Sequence, residues 1–450
     1  MSTAGTTSLD QLHRTVPVPL AGASFWRQYR AFAGPAILVS VGYMDPGNWA
    51  TDLQGGASYR YGLMWVVALS SLMAIVLQVC SARLGIVAGK DLAQACRDFY
   101  PAWSRVPNWI CTEIAIAACD LAEVLGSAVA IHLLFGIPLM WAVIITAFDV
   151  LLLLSLQSFG MRLIEALILV LVVTIGACYF IEIFILPQTK PDFAEIGHAM
   201  IRPGFREAGM IYVAIGIIGA TVMPHNLYLH SALVQTRAFQ QDEPSIKKAI
   251  QLNTIDATLA LSIAFLVNAS IMVLAAIVFY GKDSVTLADG RIIHFGSDWI
   301  QEAYLTLAPL LGTGMASVLF AVALLASGQS STVTGTLAGQ VVMEGFMHWR
   351  IRPWLRRMIT RGLAIVPAVL VIWWRGDNSV NDLLTLSQVI LGIQLPFAMI
   401  PLLQFTSSKK RMGKYANGWF LLGAGWASCI LITALDVFGL FAILRRAIGE

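Results

Sequence analysis

Near the start of the first long apolar stretch stands GYMDPGNWATDLQGG, Gly42 to Gly56, which sets Asp45, Asn48 and Asp52 around the pair Pro46–Gly47. A second stretch, GATVMPHNLYLHS from Gly219 to Ser231, sets Met223, His225 and Asn226 around Pro224. Aligned on the prolines, Asp45-Pro46-Gly47-Asn48 matches Met223-Pro224-His225-Asn226 position for position. Each proline follows a side chain with lone pairs to offer, and each is followed two residues later by an asparagine. Proline removes an amide donor and clashes with the carbonyl one turn back, so a helix opens there. In hydrocarbon, opened backbone is tolerated only against protein or a wet cavity, and a bound cation is one partner that satisfies it. The donors suit a cation, since Asp45 is a hard anionic oxygen, Asn48 a neutral oxygen and Met223 a soft thioether. The carbonyls of Ala220 and Gly42 lie about one turn earlier. Oxygen alone would suit calcium or magnesium, and sulfur shifts the preference toward first-row transition metals. For either stretch alone an ordinary proline kink, or a packing role for Met223, is a competing reading; the matched pair favours a shared site.

A second group of titratable side chains lies in CTEIAIAACDLAE, which carries Glu113, Asp120 and Glu123. Each ionisable residue inside a membrane span costs at least ~2.5–3.5 kcal/mol on insertion scales, so it needs a partner or a purpose. Asp120 and Glu123 share one helical face. Glu113 lies about three turns from Glu123, roughly 15 Å along the axis, which makes a ladder of carboxylates. Arg356 and Arg357 are natural partners, and His225 belongs to the residue type whose charge changes near physiological pH. Buried ion pairs that merely fix helix packing compete with a proton route here. Several other polar residues draw less specific expectations. Asp52 is expected near the outer end and solvated, His230 as a hydrogen-bonded core histidine, and Trp49 as packing. Asp149 and Glu165 have no partner that the sequence names. Asn268-Ala-Ser270 fits a glycosylation sequon, but it sits mid-span and is given no role.

The elements that must position these residues are membrane helices. Of 450 residues 58% are hydrophobic and only 12% charged, about half the charge of a soluble domain. Apolar runs of roughly 20 residues, the length that crosses a bilayer, give eleven candidate spans at 32–56, 62–86, 108–133, 136–156, 162–186, 209–233, 253–280, 310–335, 357–374, 381–404 and 416–442. Residues 1–31 read as a polar cytosolic tail rather than a signal peptide. Most of the 29 lysines and arginines then fall on the side of the N-terminus, which puts the N-terminus in the cytosol and the C-terminus outside. A net charge of +3 offers nothing for nucleic acid. The six cysteines form no C-x-x-C pair and read as small core residues. No H-E-x-x-H, G-x-x-x-x-G-K-[ST] or G-x-S-x-G occurs, so neither an enzyme nor an ATP-driven pump is supported. The two proline elements stand five spans apart, as expected if 32–186 and 209–404 are repeats of five spans, the second inverted, with 416–442 an added eleventh. Interrupted helices at matching positions of two halves point to a transporter's central site.

DPGN at Asp45–Asn48, MPHNLYLHSALVQTR from Met223 and ASGQSSTVTGTLAGQVVMEGF from Ala326 closely resemble the Nramp family of divalent-metal/proton symporters, over nearly the whole chain from about Gly34. The resemblance implies an all-α polytopic membrane protein of eleven transmembrane helices with the inverted five-plus-five LeuT-type fold, helices 1 and 6 broken. It implies metal-binding roles for Asp45, Asn48, Ala220 and Met223, and supports Gln388 as a further oxygen ligand that swings in, where a buried glutamine satisfied by backbone is the other reading. It also favours a proton route from Asp45 through Glu123 and Asp120 toward Arg356 and Arg357, with Glu113 and His225 included. Asp45 would couple the two, because a carboxylate beside an arriving dication sheds its proton. The substrates implied are Mn²⁺ or Fe²⁺, with Cd²⁺ and Co²⁺ as passengers and H⁺ as co-substrate. No resident cofactor and no obligate protein partner are expected. The short chain points to a bacterial inner membrane. A sodium-coupled symporter of an organic solute, a magnesium-carrying relative and a non-transporting sensor on the same fold are the alternatives; an anion and a thioether at the breaks argue against the first, and the thioether of Met223 against the second.

Overall fold

The computed structural model describes residues 13–19, 23–148, 161–185, 190–282, 284–286, 292–294, 300, 302–303, 305, 314–349, 351, 353–375 and 380–448. Among them the chain is helical apart from two short two-stranded ladders. The helices are α1 (Phe25–Phe32), α2 (Pro35–Ser40), α3 (Pro46–Tyr59), α4 (Met64–Ala88), α5 (Leu92–Phe99), α6 (Arg105–Phe135), α7 (Leu139–Ile145), α8 (Met161–Phe180) and α9 (Phe193–Ile201). They continue as α10 (Ala208–Val222), α11 (Pro224–Leu233), α12 (Glu243–Val278), α13 (Gly314–Met347), α14 (Pro353–Arg375), α15 (Val380–Ser407), α16 (Lys409–Met412) and α17 (Trp419–Ile448).

Eight segments of the described residues are long and apolar enough to cross a membrane. The expected spans 32–56, 136–156 and 357–374 are not among them. The first divides into α2, a 3₁₀ turn Val41–Met44 and α3. The second shows α7 and a 3₁₀ turn Thr146–Phe148, and its remainder, with Asp149, lies outside the described residues. The third is α14, whose first turns carry Arg356, Arg357 and Arg361. Two boundaries differ clearly from expectation. Helix α12 starts at Glu243, where Pro244 occupies a first-turn position that needs no amide donor. Helix α13 runs on to Met347, twelve residues past the expected end at 335, because Leu337, Ala338, Val341, Val342 and Phe346 stay buried in the bundle.

The interruptions have local causes. Asp45 caps α3: its Oδ1 accepts from Asn48 N at 2.9 Å, and Pro46 takes the first helical position. On the other side, α10 ends at Val222, Met223 sits at φ 38°, and Pro224 starts α11. A non-glycine residue at positive φ is held there against an intrinsic cost of about 1–3 kcal/mol.

The start of α2 is fixed by residues far away in sequence. Gly34, at φ 137°, is its N-cap, and no side chain of α2 supplies the cap acceptor. Asp256 of α12 does so, its Oδ2 accepting from Gly34 N at 3.3 Å and Ala36 N at 3.2 Å. Arg237 donates to Phe32 O at 2.7 Å, Ala33 O at 2.9 Å and Glu165 Oε1 at 2.8 Å, so Glu165, for which the sequence names no partner, has its cation. Next to this network β1 (Val16–Pro17) pairs in parallel with β2 (Arg237–Ala238).

Candidate metal site between the helix interruptions

Asp45 is fully buried at the foot of α3. Its Oδ1 accepts twice from Asn48, from the backbone N and from Nδ2 at 2.7 Å, while Oδ2 has no hydrogen-bond partner. Asn48 Nδ2 also donates to Ala220 O at 3.0 Å, the carbonyl of the last turn of α10. The side-chain nitrogen of Asn48 therefore lies between a carboxylate and a backbone carbonyl, two acceptors that converge from the two interrupted segments. Asn48 Oδ1 points the other way and accepts from Asn268 Nδ2 at 3.2 Å, with Thr221 Oγ1 at 3.5 Å.

Met223 is buried with Ala115, Ala118 and Cys119 of α6 and Leu391 of α15. Pro46, next to Asp45, packs against Gly126 of α6, where any β-carbon would overlap its ring, so both interruptions border that helix. Met223 Sδ lies 3.5 Å from Asn226 Nδ2. Gly42 packs against the Asn226 amide, with no room for a side chain between them. The neighbouring carbonyls are taken: Tyr43 O by Asn268 Nδ2 at 2.9 Å, and Met44 O by Trp49 Nε1 at 3.2 Å and by Ser327 Oγ. Gln388 of α15 is buried against Gly47, where any β-carbon would overlap its amide. Its Nε2 donates to Ser387 Oγ at 2.9 Å, and Oε1 has no partner. His225 is buried, with neither ring nitrogen hydrogen-bonded. Among the described residues no group of three or more His, Cys, Asp or Glu side chains is placed to hold a metal. The donors gathered here are instead one carboxylate, amides, a carbonyl and a thioether.

The carboxylate ladder begins beside this site. Glu123 lies on α6 three residues before Gly126, which packs against Pro46. Its Oε1 accepts from Ser331 Oγ at 2.9 Å, and its Oε2 faces Arg357 at 3.4 Å and Arg361 at 3.9 Å. Asp120 Oδ1 pairs with Arg357 at 2.9 Å and Arg361 at 2.7 Å. Farther along α6, Glu113 pairs with Arg356 at 2.8 Å and accepts from Trp109 Nε1 at 3.0 Å. Beside Arg356 and Arg357 a cavity of about 10 Å³ is lined by Gly335, Thr336, Gln340 and Thr360, the volume of about one water.

One expectation changes, and two residues that the sequence did not place at the site join it. Asp52 is not solvated: it is 1% exposed, and its Oδ2 has no hydrogen-bond partner. Asn268, given no role from the sequence, bonds to Asn48. Arg361, one turn beyond Arg357, joins the ladder although the sequence did not single it out; the i, i+4 spacing, which places both on one face, is the signal that could have found it. Trp49 packs as expected, with ring centroids 5.2 Å from Tyr179 and Phe320. His230 has its partner in Gln78 Oε1, 2.9 Å from Nδ1.

Membrane-length helices around a buried polar centre make this an integral membrane protein. Over 98% of this chain and 96% of the other, it aligns with Mhp1, a nucleobase-cation-symport-1 family transporter, at a TM-score of 0.58 and 13% identity, a likeness of fold alone. The crystal structure of the Eremococcus coleocola manganese transporter with an aromatic bis-isothiourea substituted compound is far more similar. Its TM-score is 0.86 at 38% identity, over 98% of this chain and 92% of that one. The chain belongs to the Nramp family, natural resistance-associated macrophage protein-like, matched over residues 36–442. Among its relatives are the divalent metal cation transporters MntH of a Nostoc species and of Mesorhizobium japonicum. The first is 51% identical over 96% of this chain and 95% of its own length. The second is 50% identical over 95% and 92%.

Proposed function

We propose that the protein carries divalent transition-metal ions, Mn²⁺ and Fe²⁺ with Cd²⁺ and Co²⁺ as further cargo, into the cytosol together with protons by alternating access. Spans 32–186 and 209–404 act as two inverted repeats, broken at Asp45 and Met223, with the N-terminal tail 1–31 cytosolic and the helix 416–442 added outside the repeats. The observation that carries this reading is the Asn48 amide nitrogen held between Asp45 Oδ1 and Ala220 O, with Asp45 Oδ2 unpartnered. Two acceptors converge on one electropositive group, which is the arrangement a cation would take over. Met223 supplies the soft donor that a transition metal accepts and a hard ion does not. Gln388 Oε1 is a further oxygen at the same level, and Gly42 closes the site from the side of Asn226.

Protons leave from Asp45 through Glu123 and Asp120 toward Arg357, Arg356 and Glu113, away from the metal, while His225 stands beside Met223 as a second carrier. Separate exits matter because the dication displaces the proton from Asp45 and both must then reach the same side. Uptake of ⁵⁴Mn²⁺ into proteoliposomes, with internal pH followed by a trapped dye, tests the reading. Wild type is expected to accumulate Mn²⁺ faster at acid external pH and to acidify the lumen. Asp45→Asn should abolish concentrative uptake, and vigorous acid-stimulated accumulation by that variant would refute the assignment.

A further inference from the structure

The amide of Asn48 has one orientation in this structure. Its nitrogen faces Asp45 Oδ1 at 2.7 Å and Ala220 O at 3.0 Å, both acceptors only, so the end turned toward them must be the donor. Its oxygen accepts from Asn268 Nδ2 at 3.2 Å. Asn268 Nδ2 donates also to Tyr43 O at 2.9 Å, whereas Asn268 Oδ1 is buried and without a hydrogen-bond partner. A cation placed between Asp45 and Ala220 would meet the hydrogens of Asn48 and not its oxygen. Half a turn of the Asn48 amide about its last side-chain bond corrects this, but it brings the NH₂ group against Asn268 Nδ2, donor facing donor. A matching half turn of Asn268 removes the conflict, because it presents the unpartnered Oδ1.

We propose that Asn268 is a positioning residue for the cation site: its amide and that of Asn48 rotate together, nitrogen inward when the site is empty and oxygen inward when it is loaded. The inference rests on the reading of Asp45, Asn48 and Ala220 as cation ligands. In the empty state two N–H dipoles stand in for the ion. In the loaded state the second Asn48 hydrogen turns to Thr221 Oγ1, whose own hydrogen already goes to Ile217 O at 2.6 Å. Tyr43 O loses its donor when Asn268 turns, and that loss drives the pair back once the ion leaves. The exchange moves no proton and no net charge.

Calorimetric titration of the detergent-solubilised full chain with Mn²⁺ tests this. Asn268→Leu, similar in size but without an acceptor, is expected to raise Kd about tenfold, the worth of a lost buried hydrogen bond. Asn268→Asp, an acceptor on both oxygens, is expected to lower Kd about threefold. In an Asn48→Ala background neither substitution should change Kd further. A purely packing role predicts the reverse order, with the leucine variant near wild type and the aspartate variant worst, and would overturn the proposal. So would a gain from Asn268→Asp that persists in Asn48→Ala, since that would be direct attraction of the ion. If the leucine variant does not fold, the aspartate substitution in the two backgrounds decides alone. Loss of binding in Asp45→Asn with no change in either Asn268 variant sinks this inference only. Unchanged binding in both Asp45→Asn and Asn48→Ala sinks the site itself.

Discussion

Asp45 holds one carboxylate oxygen that accepts twice and one that accepts nothing. A buried acceptor without a partner costs about 1–3 kcal/mol, a cost that a bound cation would recover. Met223 makes the same point through its backbone, since positive φ at a side-chain-bearing residue persists only when the surroundings impose it. Packed between α6 and α15, the thioether cannot turn away without emptying that pocket. Met223→Ala is therefore expected to retain Mn²⁺ uptake when no competitor is present, but to become about tenfold more sensitive to Ca²⁺ and Mg²⁺, a change of about one ligand's preference. Inhibition curves in proteoliposomes read this directly, and curves that overlay the wild type would exclude selection by sulfur. At this scale the sequence was informative where a polar residue met a helix breaker in an apolar run, as at Asp45 and Met223. It was uninformative for Asn268 and Asp52. Their positions were plain, but what each one touches depends on how α12 and α3 lie together, and no spacing along one helix encodes that.

Elements α6, α13 and α14 form a unit of their own. Asp120 and Glu123 from α6 face Arg357 and Arg361 from α14, two carboxylates against two guanidiniums. Helix α13 contributes Ser331 to Glu123 and Thr332 to Arg361. Removing one member of such a buried set leaves an uncompensated charge, which costs about 3–5 kcal/mol. Arg361→Leu is thus expected to melt at lower temperature and to take up Mn²⁺ with less lumen acidification per ion. A variant that melts lower yet keeps the wild-type ratio of protons to metal would confine Arg361 to structure. The ladder on α6 could be seen in the three-residue spacing of Asp120 and Glu123. The cation opposite each rung could not, because the register of α14 against α6 is set by side-chain packing across the bundle. The same limit explains the end of α13, since the burial of Leu337, Val341, Val342 and Phe346 that carries it to Met347 depends on neighbouring helices.

Across the whole molecule, the network of Arg237, Glu165 and Asp256 ties the beginning of the first interrupted span to α8, α12 and the segment after α11. For α2 to move as one wall of an opening, these bonds must break together. Arg237→Gln keeps a donor but not the charge, and is expected to favour the open arrangement. A cysteine introduced at Ser40, which is 2% exposed, should then react with a maleimide on the order of tenfold faster than in the parent. An unchanged rate would separate this network from the movement. The two proline elements were readable in the sequence, whereas the clasp of Arg237 on Glu165 was not, since the two residues lie 72 positions apart on different elements.

The borrowed cap of α2 also bears on how the protein is made. Asp256 follows Gly34 by 222 residues. At ribosomal rates of ~5–20 residues per second, the first span waits on the order of ten seconds or more for the acceptor that completes it. Until α12 emerges, the newborn N-terminal segment must be sheltered by the insertion machinery or by headgroup water, so nascent chains halted before Asp256 should leave it open to protease.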